Sequence, residues 1–171
     1  PPSPPTFATQ PKRASCARHS NASFLSVDGA PFIPMGFVAS DIVRHGRNHS
    51  WYHMRRLSSH GINLLLLHEV GLRLKHDIDI ERQLAALDIA FACGIKIVAR
   101  LQATPSASSS WLDSVLKRRV EQLNSHPALL GFWLGSELSA AEQASIYQVV
   151  TNIDARSTHY IFALPPTDGS D

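Results

Sequence analysis

Apolar residues occur along this chain in two patterns, short continuous runs and longer segments with apolar positions three or four apart. The clearest run is INLLLL, residues 62–67, in which Asn63 is the only polar residue. A strand covered on both faces has this composition, so the run predicts a buried strand. Similar runs predict three further strands at residues 95–101, 129–134 and 160–164.

Between these runs, the spacing of apolar residues predicts four amphipathic helices. Glycines that follow the periodic segments predict the ends of the first two helices at Gly61 and Gly94. Cap residues, acidic first turns and S-x-x-D/E capping boxes predict where the four helices begin, near Ser50, Asp77, Ser110 and Ser139.

The segment FLSVDGAPFIPMG, residues 24–36, predicts a β-hairpin that turns at Asp28-Gly29. The order after it is β-α-β-α-β-α-β-α-β. Strands that alternate with helices through short connections predict parallel strands with right-handed crossovers, an α/β fold. The segment GFVASDIVRHG, residues 36–46, lacks the glycine-rich turn of a nucleotide-binding fold, which favours part of a (β/α)8 barrel.

Composition divides the chain into two regions. Residues 1–23, beginning PPSPPTFATQPKRAS, are rich in proline, serine and alanine, which predicts an extended linker. Residues 24–171 are expected to form one domain, since 44% of the 171 residues are hydrophobic. The chain starts at Pro1 without a methionine or a basic-then-apolar leader, so we expect it to be part of a longer polypeptide.

Charge and sequence motifs bear on which partners the chain binds and where it is located. The chain has 16 basic and 14 acidic residues, a balance that gives no electrostatic case for nucleic acid. No apolar run reaches the roughly 18 residues that a membrane span needs. Sequons at Asn21 and Asn48 permit N-glycosylation, and with the proline-rich segment they favour an extracellular protein. Cys16 and Cys93 are compatible with one disulfide or two separate thiols.

Five segments, in order, resemble the first five β/α units of clan A (β/α)8 glycoside hydrolases: FLSVDGAPFIPMG, LSSHGINLLLL, LDIAFACGIKIVARL, HPALLGFWLGSEL and VVTNIDARSTHYIFAL. The similarity covers residues 24–164. It implies a partial (β/α)8 TIM barrel of about five parallel strands with four helices. The hairpin would close the floor of that barrel.

The resemblance implies that Glu137, after the fourth barrel strand, is the general acid/base. A retaining mechanism needs a second carboxyl group about 5–5.5 Å away. In the family this nucleophile follows strand seven, which has no counterpart in the chain. Ser136 replaces the asparagine that commonly precedes the acid/base, and Leu66 replaces an arginine that often ends strand two.

Two functions remain open. We favour a non-catalytic derivative of the fold, a pseudoenzyme that serves as a structural or glycan-binding module of an extracellular glycoprotein assembly. The alternative is an active retaining glycoside hydrolase acting on β-linked polysaccharide or oligosaccharide, with its nucleophile supplied from outside this chain. In either case the open apolar edges of five strands imply another protein segment or chain that completes or covers the half barrel. No cofactor is expected.

Four residues near strand ends are candidates for binding carbohydrate: Ser136, His68, Glu69 and Trp133. His68 and Glu69 are also compatible with a solvated loop. Trp133 is also compatible with core packing. His45, His49 and His53 have the spacing of metal ligands on a helix, but Gly46 and a helix start at Ser50 would separate them. We therefore predict a surface histidine cluster and no metal.

Overall fold

The computed structural model describes residues 25–27, 30–43, 45–72, 80–101, 112–135, 138–154 and 159–163. The strands in these ranges are β1 Leu25–Val27, β2 Ala30–Phe32, β3 Gly36–Ala39, β4 Leu64–Leu72, β5 Lys96–Leu101, β6 Leu129–Leu134 and β7 Tyr160–Ala163. The helices are α1 Arg47–Ser59, α2 Ile80–Ala92, α3 Lys117–Asn124 and α4 Ala140–Ile153. A π-helical turn, Leu112–Leu116, leads into α3. The proposed linker, residues 1–23, and both Asn21 and Cys16 lie outside the described residues.

The predicted α/β fold is confirmed. Strands β3 to β7 form one parallel sheet in chain order, and β1 pairs with β2 in the predicted antiparallel hairpin. Gly131 allows the close approach of β6 to β7, because a Cβ there would overlap the backbone of Tyr160. No helix in the described ranges is long and apolar enough to cross a membrane.

Apolar side chains cover the parallel sheet on both faces, which explains the continuous apolar runs. On the helix face, Leu65, Ile97 and Phe132 are buried in the main core with the inward sides of the helices. On the opposite face, Val98 and Leu130 form a second cluster with Val27 of the hairpin. We call this second side the inner face, since it corresponds to the interior of a barrel. The hairpin therefore closes one part of the inner face.

Helix α1 begins four residues before the predicted position. Ser50 was expected to cap it, but the cap position is Gly46, with a φ of 91°, and Ser50 lies inside the helix. The Ser50 hydroxyl donates to the carbonyl oxygens of Ile42, at 2.8 Å, and Gly46, at 3.1 Å. It is thus a buried tether between the helix and the preceding loop. A glycine can hold the left-handed cap conformation that other residues avoid.

The capping box predicted for α4 is confirmed. The backbone N–H of Ser139 donates to the Glu142 carboxylate at 2.8 Å, and the Glu142 N–H donates to the Ser139 hydroxyl at 3.3 Å. Hydrogen bonds from the Ser139 hydroxyl and backbone lower the pKa of Glu142. The reciprocal bonds fix the start of α4 shortly after β6, and so fix the length of the connection that contains Glu137.

Asn63 ties the hairpin region to the start of the sheet. Its side-chain oxygen accepts from the Met35 N–H at 2.7 Å, and its amide nitrogen donates to the Ile33 carbonyl at 2.9 Å. The Asn63 backbone N–H also donates to the Met35 carbonyl, at 3.0 Å. One side chain therefore holds the segment that joins β2 to β3 against the beginning of β4.

We expect Asn63→Ala to lower the free energy of unfolding by about 1–2 kcal/mol, because two side-chain hydrogen bonds are lost. Urea denaturation followed by circular dichroism measures this loss. Asn152→Ala, at an exposed position of α4, is the matched control and should change stability by less than about 0.5 kcal/mol. Equal losses of unfolding free energy in the two variants would show that the side-chain hydrogen bonds of Asn63 contribute nothing to stability.

His126 joins the turn before β6 to α2. Its Nδ1 accepts from the Ala128 N–H at 3.2 Å, so the ring proton is on Nε2, which lies 3.2 Å from the Asp88 carboxylate. Burial lowers the pKa of His126, and this effect exceeds the opposing influence of Asp88; Lys96 lowers it further. The native state therefore favours the neutral imidazole.

This preference makes the fold less stable in acid. Between the ordinary histidine pKa of about 6.5 and the lower native value, the unfolded chain binds more protons, so stability is present above that window and is lost as the pH falls through it. We expect His126→Gln to reduce the loss of unfolding free energy between neutral and mildly acidic pH. Denaturation at both pH values, with His60→Gln as a control for losing an exposed imidazole, measures the difference. An unchanged pH dependence in His126→Gln would contradict this assignment.

Candidate functional site

The carboxyl ends of the parallel strands lie at one edge of the sheet, and three large polar or aromatic side chains occupy the inner face there. Successive residues of a strand point to opposite faces, so His68 shares a face with Leu66, and Arg100 shares a face with Val98. Arg100 of β5 is in register with Trp133 of β6. All three side chains are half-buried. We call His68, Arg100 and Trp133 the mouth cluster.

The mouth cluster is held together by direct contacts. Arg100 Nη1 lies 2.9 Å from His68 Nδ1. The guanidinium carbon lies 5.2 Å from the centre of the Trp133 ring system, within range of a cation–π interaction. The His68 ring meets Trp133 edge-on, with centroids 5.5 Å apart. The three side chains therefore form one unit at the end of the sheet.

The Arg100 contact determines the tautomer of His68. A guanidinium can only donate hydrogen bonds, so His68 Nδ1 must be the acceptor. The ring is then neutral and carries its proton on Nε2. His68 therefore has its N–H donor at Nε2, and the guanidinium of Arg100 has N–H groups besides the one that faces His68. The cluster therefore combines an aromatic surface with groups that donate hydrogen bonds.

The interpretation of His68 and Glu69 as loop residues is wrong. Both residues lie in β4, which continues to Leu72. Pairing with β5 shifts between Leu67 and Gly71, which marks a bulge in this part of β4. Buried positions change phase there, from Leu65 and Leu67 to Val70. Such bulges re-aim side chains near functional sites. The placement of the Glu69 side chain is not part of the described structure.

Arg100 is a cluster residue that sequence reasoning did not identify. Its signal is a charged side chain near the end of the run IKIVARL, in which Lys96 is the only other charged residue. Leu66 stands where the resembling enzymes often have arginine, and it lies on the inner face, packed against the second apolar cluster. In this protein a guanidinium at the mouth comes instead from the adjacent strand, β5.

Ser136 and Glu137 lie outside the described residues, and so do not enter the geometry above. Their neighbours constrain the connection. Strand β6 ends at Leu134, the buried Leu138 N–H donates to the Gly135 carbonyl at 3.3 Å, and α4 begins at Ala140. The connection from β6 to α4 is thus short and starts at the same edge of the sheet as the mouth cluster. The roles of Ser136 and Glu137 stay predictions.

The three histidines near α1 lie closer together than predicted. Because the helix begins at Arg47, His49 and His53 share it, and ring centroids are 4.9 Å apart for His45 and His49 and 4.2 Å apart for His49 and His53. Desolvation and the neighbouring imidazoles lower the pKa of His49. Within the described ranges, no three His, Cys, Asp or Glu side chains are arranged to hold a metal ion.

Two other predicted features lie on the helix side of the sheet. Asn48 is exposed in the first turn of α1, while the serine of its sequon, Ser50, is buried. Cys93 is half-buried after α2, and burial raises the pKa of its thiol although Arg55 opposes this. Whether Cys93 pairs with Cys16 stays open, since Cys16 is outside the described residues.

Comparison with solved structures shows that this is the fold of glycoside hydrolases. A structure titled glycoside hydrolase matches 90% of the chain with a TM-score of 0.67 and 12% sequence identity. A noncanonic maltogenic alpha-amylase, AmyB from Thermotoga neapolitana, matches 76% with a TM-score of 0.52 and 12% identity. The chain spans 41% and 45% of those two proteins. No protein-family model matches the sequence, and no curated protein matches it either.

The contacts in the mouth cluster predict the tautomer of His68, and this prediction can be tested without a ligand. Long-range ¹⁵N–¹H NMR correlations at neutral pH should show His68 with its proton on Nε2, and Arg100→Met should relax this preference because the donor to Nδ1 is removed. His126, whose Nδ1 accepts from Ala128, should keep the Nε2 tautomer in both proteins. A proton on Nδ1 of His68 in the unmodified protein would contradict the described contact.

Proposed function

We propose that this chain is a carbohydrate-binding domain with a glycoside hydrolase fold and that sugars bind at the mouth cluster. The observation that carries the proposal is the position of His68, Arg100 and Trp133 at the carboxyl ends of adjacent parallel strands. Enzymes built on (β/α)8 barrels have their active sites at this end of the strands. The fold likeness supports the location, and the side-chain chemistry supports the ligand class.

Sugar hydroxyls are acceptors for N–H groups, and sugar rings present C–H faces to aromatic side chains. The guanidinium of Arg100 lies over the Trp133 ring. We propose that the main role of the indole is to orient Arg100. A sugar would receive hydrogen bonds from Arg100 and from Nε2–H of His68, and would contact the remaining exposed part of Trp133. Ser136 and Glu69 are proposed to add polar contacts from the same edge.

The proposal treats the domain as non-catalytic. Retaining hydrolysis needs two carboxyl groups about 5–5.5 Å apart, and the resemblance supplies one, Glu137. Ser136 and Leu66 in place of asparagine and arginine support the same conclusion. An extracellular glycoprotein setting remains part of the proposal, supported by the two sequons.

One observation favours a second function, retaining glycoside hydrolysis. Glu137 lies in the short connection after β6, the fourth parallel barrel strand counted from β3, which is where the resembling enzymes carry their acid/base. In this reading Glu137 protonates the leaving oxygen, and the nucleophile comes from a segment outside the chain. The carboxylate on that segment would have to approach Glu137 across the open mouth.

Calorimetric titration with β-linked cello- and chito-oligosaccharides and α-linked malto-oligosaccharides tests the binding proposal. We expect at least one series to bind, and Trp133→Phe and Arg100→Met each to weaken binding by about tenfold, since loss of an oriented contact costs about 1.4 kcal/mol. Tyr147→Ala removes an exposed aromatic ring of α4 and should leave binding unchanged. No binding to any series, or binding that is insensitive to Trp133 and Arg100, would refute the proposal.

Aryl β-glycoside turnover separates the two functions. The non-catalytic domain should release no aryl alcohol above the rate in buffer, and Glu137→Ala should release the same amount. Turnover by the unmodified protein that Glu137→Ala abolishes would replace the binding proposal with the hydrolase. Turnover that survives Glu137→Ala would exclude Glu137 as the acid/base.

A further inference from the structure

The first turns of α1 carry two imidazoles on one side of the helix. His49 and His53 are four residues apart within Arg47–Ser59, so their side chains lie on the same face, one turn apart. Their ring centroids are 4.2 Å apart, and the ring planes are inclined at 47°. The expectation that a helix start at Ser50 separates the histidines does not hold for this pair, because α1 begins at Arg47.

The separation of the two rings matches that of two ligands of one metal ion. Imidazole nitrogen binds Zn²⁺ at about 2.0–2.1 Å, which places the centroids of two rings on one ion roughly 4.5–5 Å apart. A small rotation about a side-chain bond brings His49 and His53 into this range. His45 lies 4.9 Å from His49, but it precedes the helix, and in the described part of the chain no third His, Cys, Asp or Glu joins such a pair around one ion.

Both imidazoles are held near this geometry by the protein. They are half-buried, and the ring of Tyr52 meets the His53 ring edge-on, with centroids 5.4 Å apart. Desolvation, with smaller effects of His53 and His45, lowers the pKa of His49. At neutral pH the His49 imidazole is therefore neutral, which is the form that binds a metal.

The surroundings of the pair select the kind of ion. Helix α1 contains no aspartate or glutamate, so it offers no carboxylate to Mg²⁺ or Ca²⁺, which prefer oxygen ligands. The positive end of the helix dipole disfavours a cation near the first turn. Arg56, which lines the same groove as His53, adds charge of the same sign. Strong affinity for imidazole nitrogen is needed to overcome these effects, and Ni²⁺, Cu²⁺ and Zn²⁺ have it.

We propose that His49 and His53 form a binding site for a divalent late transition-metal ion, with water in the remaining coordination positions. The ion would link successive turns at the start of α1. This end of the helix follows Gly46 and has no side-chain cap among the described residues, so a link there supports an end that is otherwise weakly held. The proposal does not rest on carbohydrate binding, because the pair lies on α1 and the mouth cluster lies on the inner face of the sheet.

Calorimetric titration of the full 171-residue chain with Zn²⁺ alone tests the site. We expect a Zn²⁺ site that His49→Gln and His53→Gln each weaken about tenfold or more, because a single imidazole is left. His45→Gln and His60→Gln remove neighbouring imidazoles and should change the affinity less than about twofold. Mg²⁺ should not compete for the site.

Two further measurements locate the ion. In ¹⁵N–¹H NMR spectra of the unmodified protein, Zn²⁺ should change the ring signals of His49 and His53 at the lowest concentrations, and this holds as a test even if a variant does not fold. Saturating Zn²⁺ should raise the thermal midpoint of the unmodified protein more than that of His49→Gln.

Three results would overturn the proposal. The first is the absence of Zn²⁺ binding to the unmodified protein. The second is Zn²⁺ binding that survives both His49→Gln and His53→Gln. The third is a loss in His45→Gln as large as that in His53→Gln, since the ion would then be held by a different set of imidazoles.

Discussion

The structure depends on one constraint: each central parallel strand carries apolar side chains on both faces, so both faces must be covered. Helices cover one face, where Leu65, Ile97 and Phe132 are buried. The hairpin covers the other face, where Val27 meets Val98 and Leu130. The hairpin belongs to the apolar cluster of the inner face, and the polar mouth cluster lies at the carboxyl ends of the strands. The inner face therefore has two parts: an apolar part that the hairpin covers, and a polar part that the mouth cluster forms.

Local features then position the polar part. Asn63 fixes the hairpin connection to the start of β4, and the irregular pairing between Leu67 and Gly71 re-aims the end of the same strand. In that part of β4, His68 contacts Arg100 of the neighbouring strand. A guanidinium that is held by an imidazole and an aromatic ring loses little conformational entropy on binding a ligand, because it is already oriented. The cluster is thus preorganised by the same strands that form the core.

Much of the fold could be predicted from the sequence, because strand and helix periods differ and the chain follows each period closely. The hairpin, the parallel order and the capping box of α4 all follow from local patterns. The start of α1 could not be predicted in this way. Ser50 looks like a helix cap in the sequence, but its hydroxyl instead donates a buried hydrogen bond to the Ile42 carbonyl in the preceding loop. The length of β4 was also missed, because its bulge changes which residues are buried and so breaks the simple alternation.

The candidate site was predictable only in part. His68 and Trp133 attracted attention through their position near strand ends, but Arg100 was missed because its role depends on contacts to two other strands. Pairing across strands is not encoded in the spacing of one segment. Glu137 is identified by resemblance and by its place after β6, whereas its chemistry depends on groups that local sequence does not specify.

We propose that ligands bind on the inner face at the carboxyl ends of β4, β5 and β6. A crystal structure of the chain with a bound oligosaccharide tests this location most directly. We expect density for a sugar ring in contact with Trp133, with hydroxyls within hydrogen-bond distance of Arg100 and of Nε2 of His68. A sugar bound on the helix side of the sheet, with these three side chains covered by protein, would contradict it.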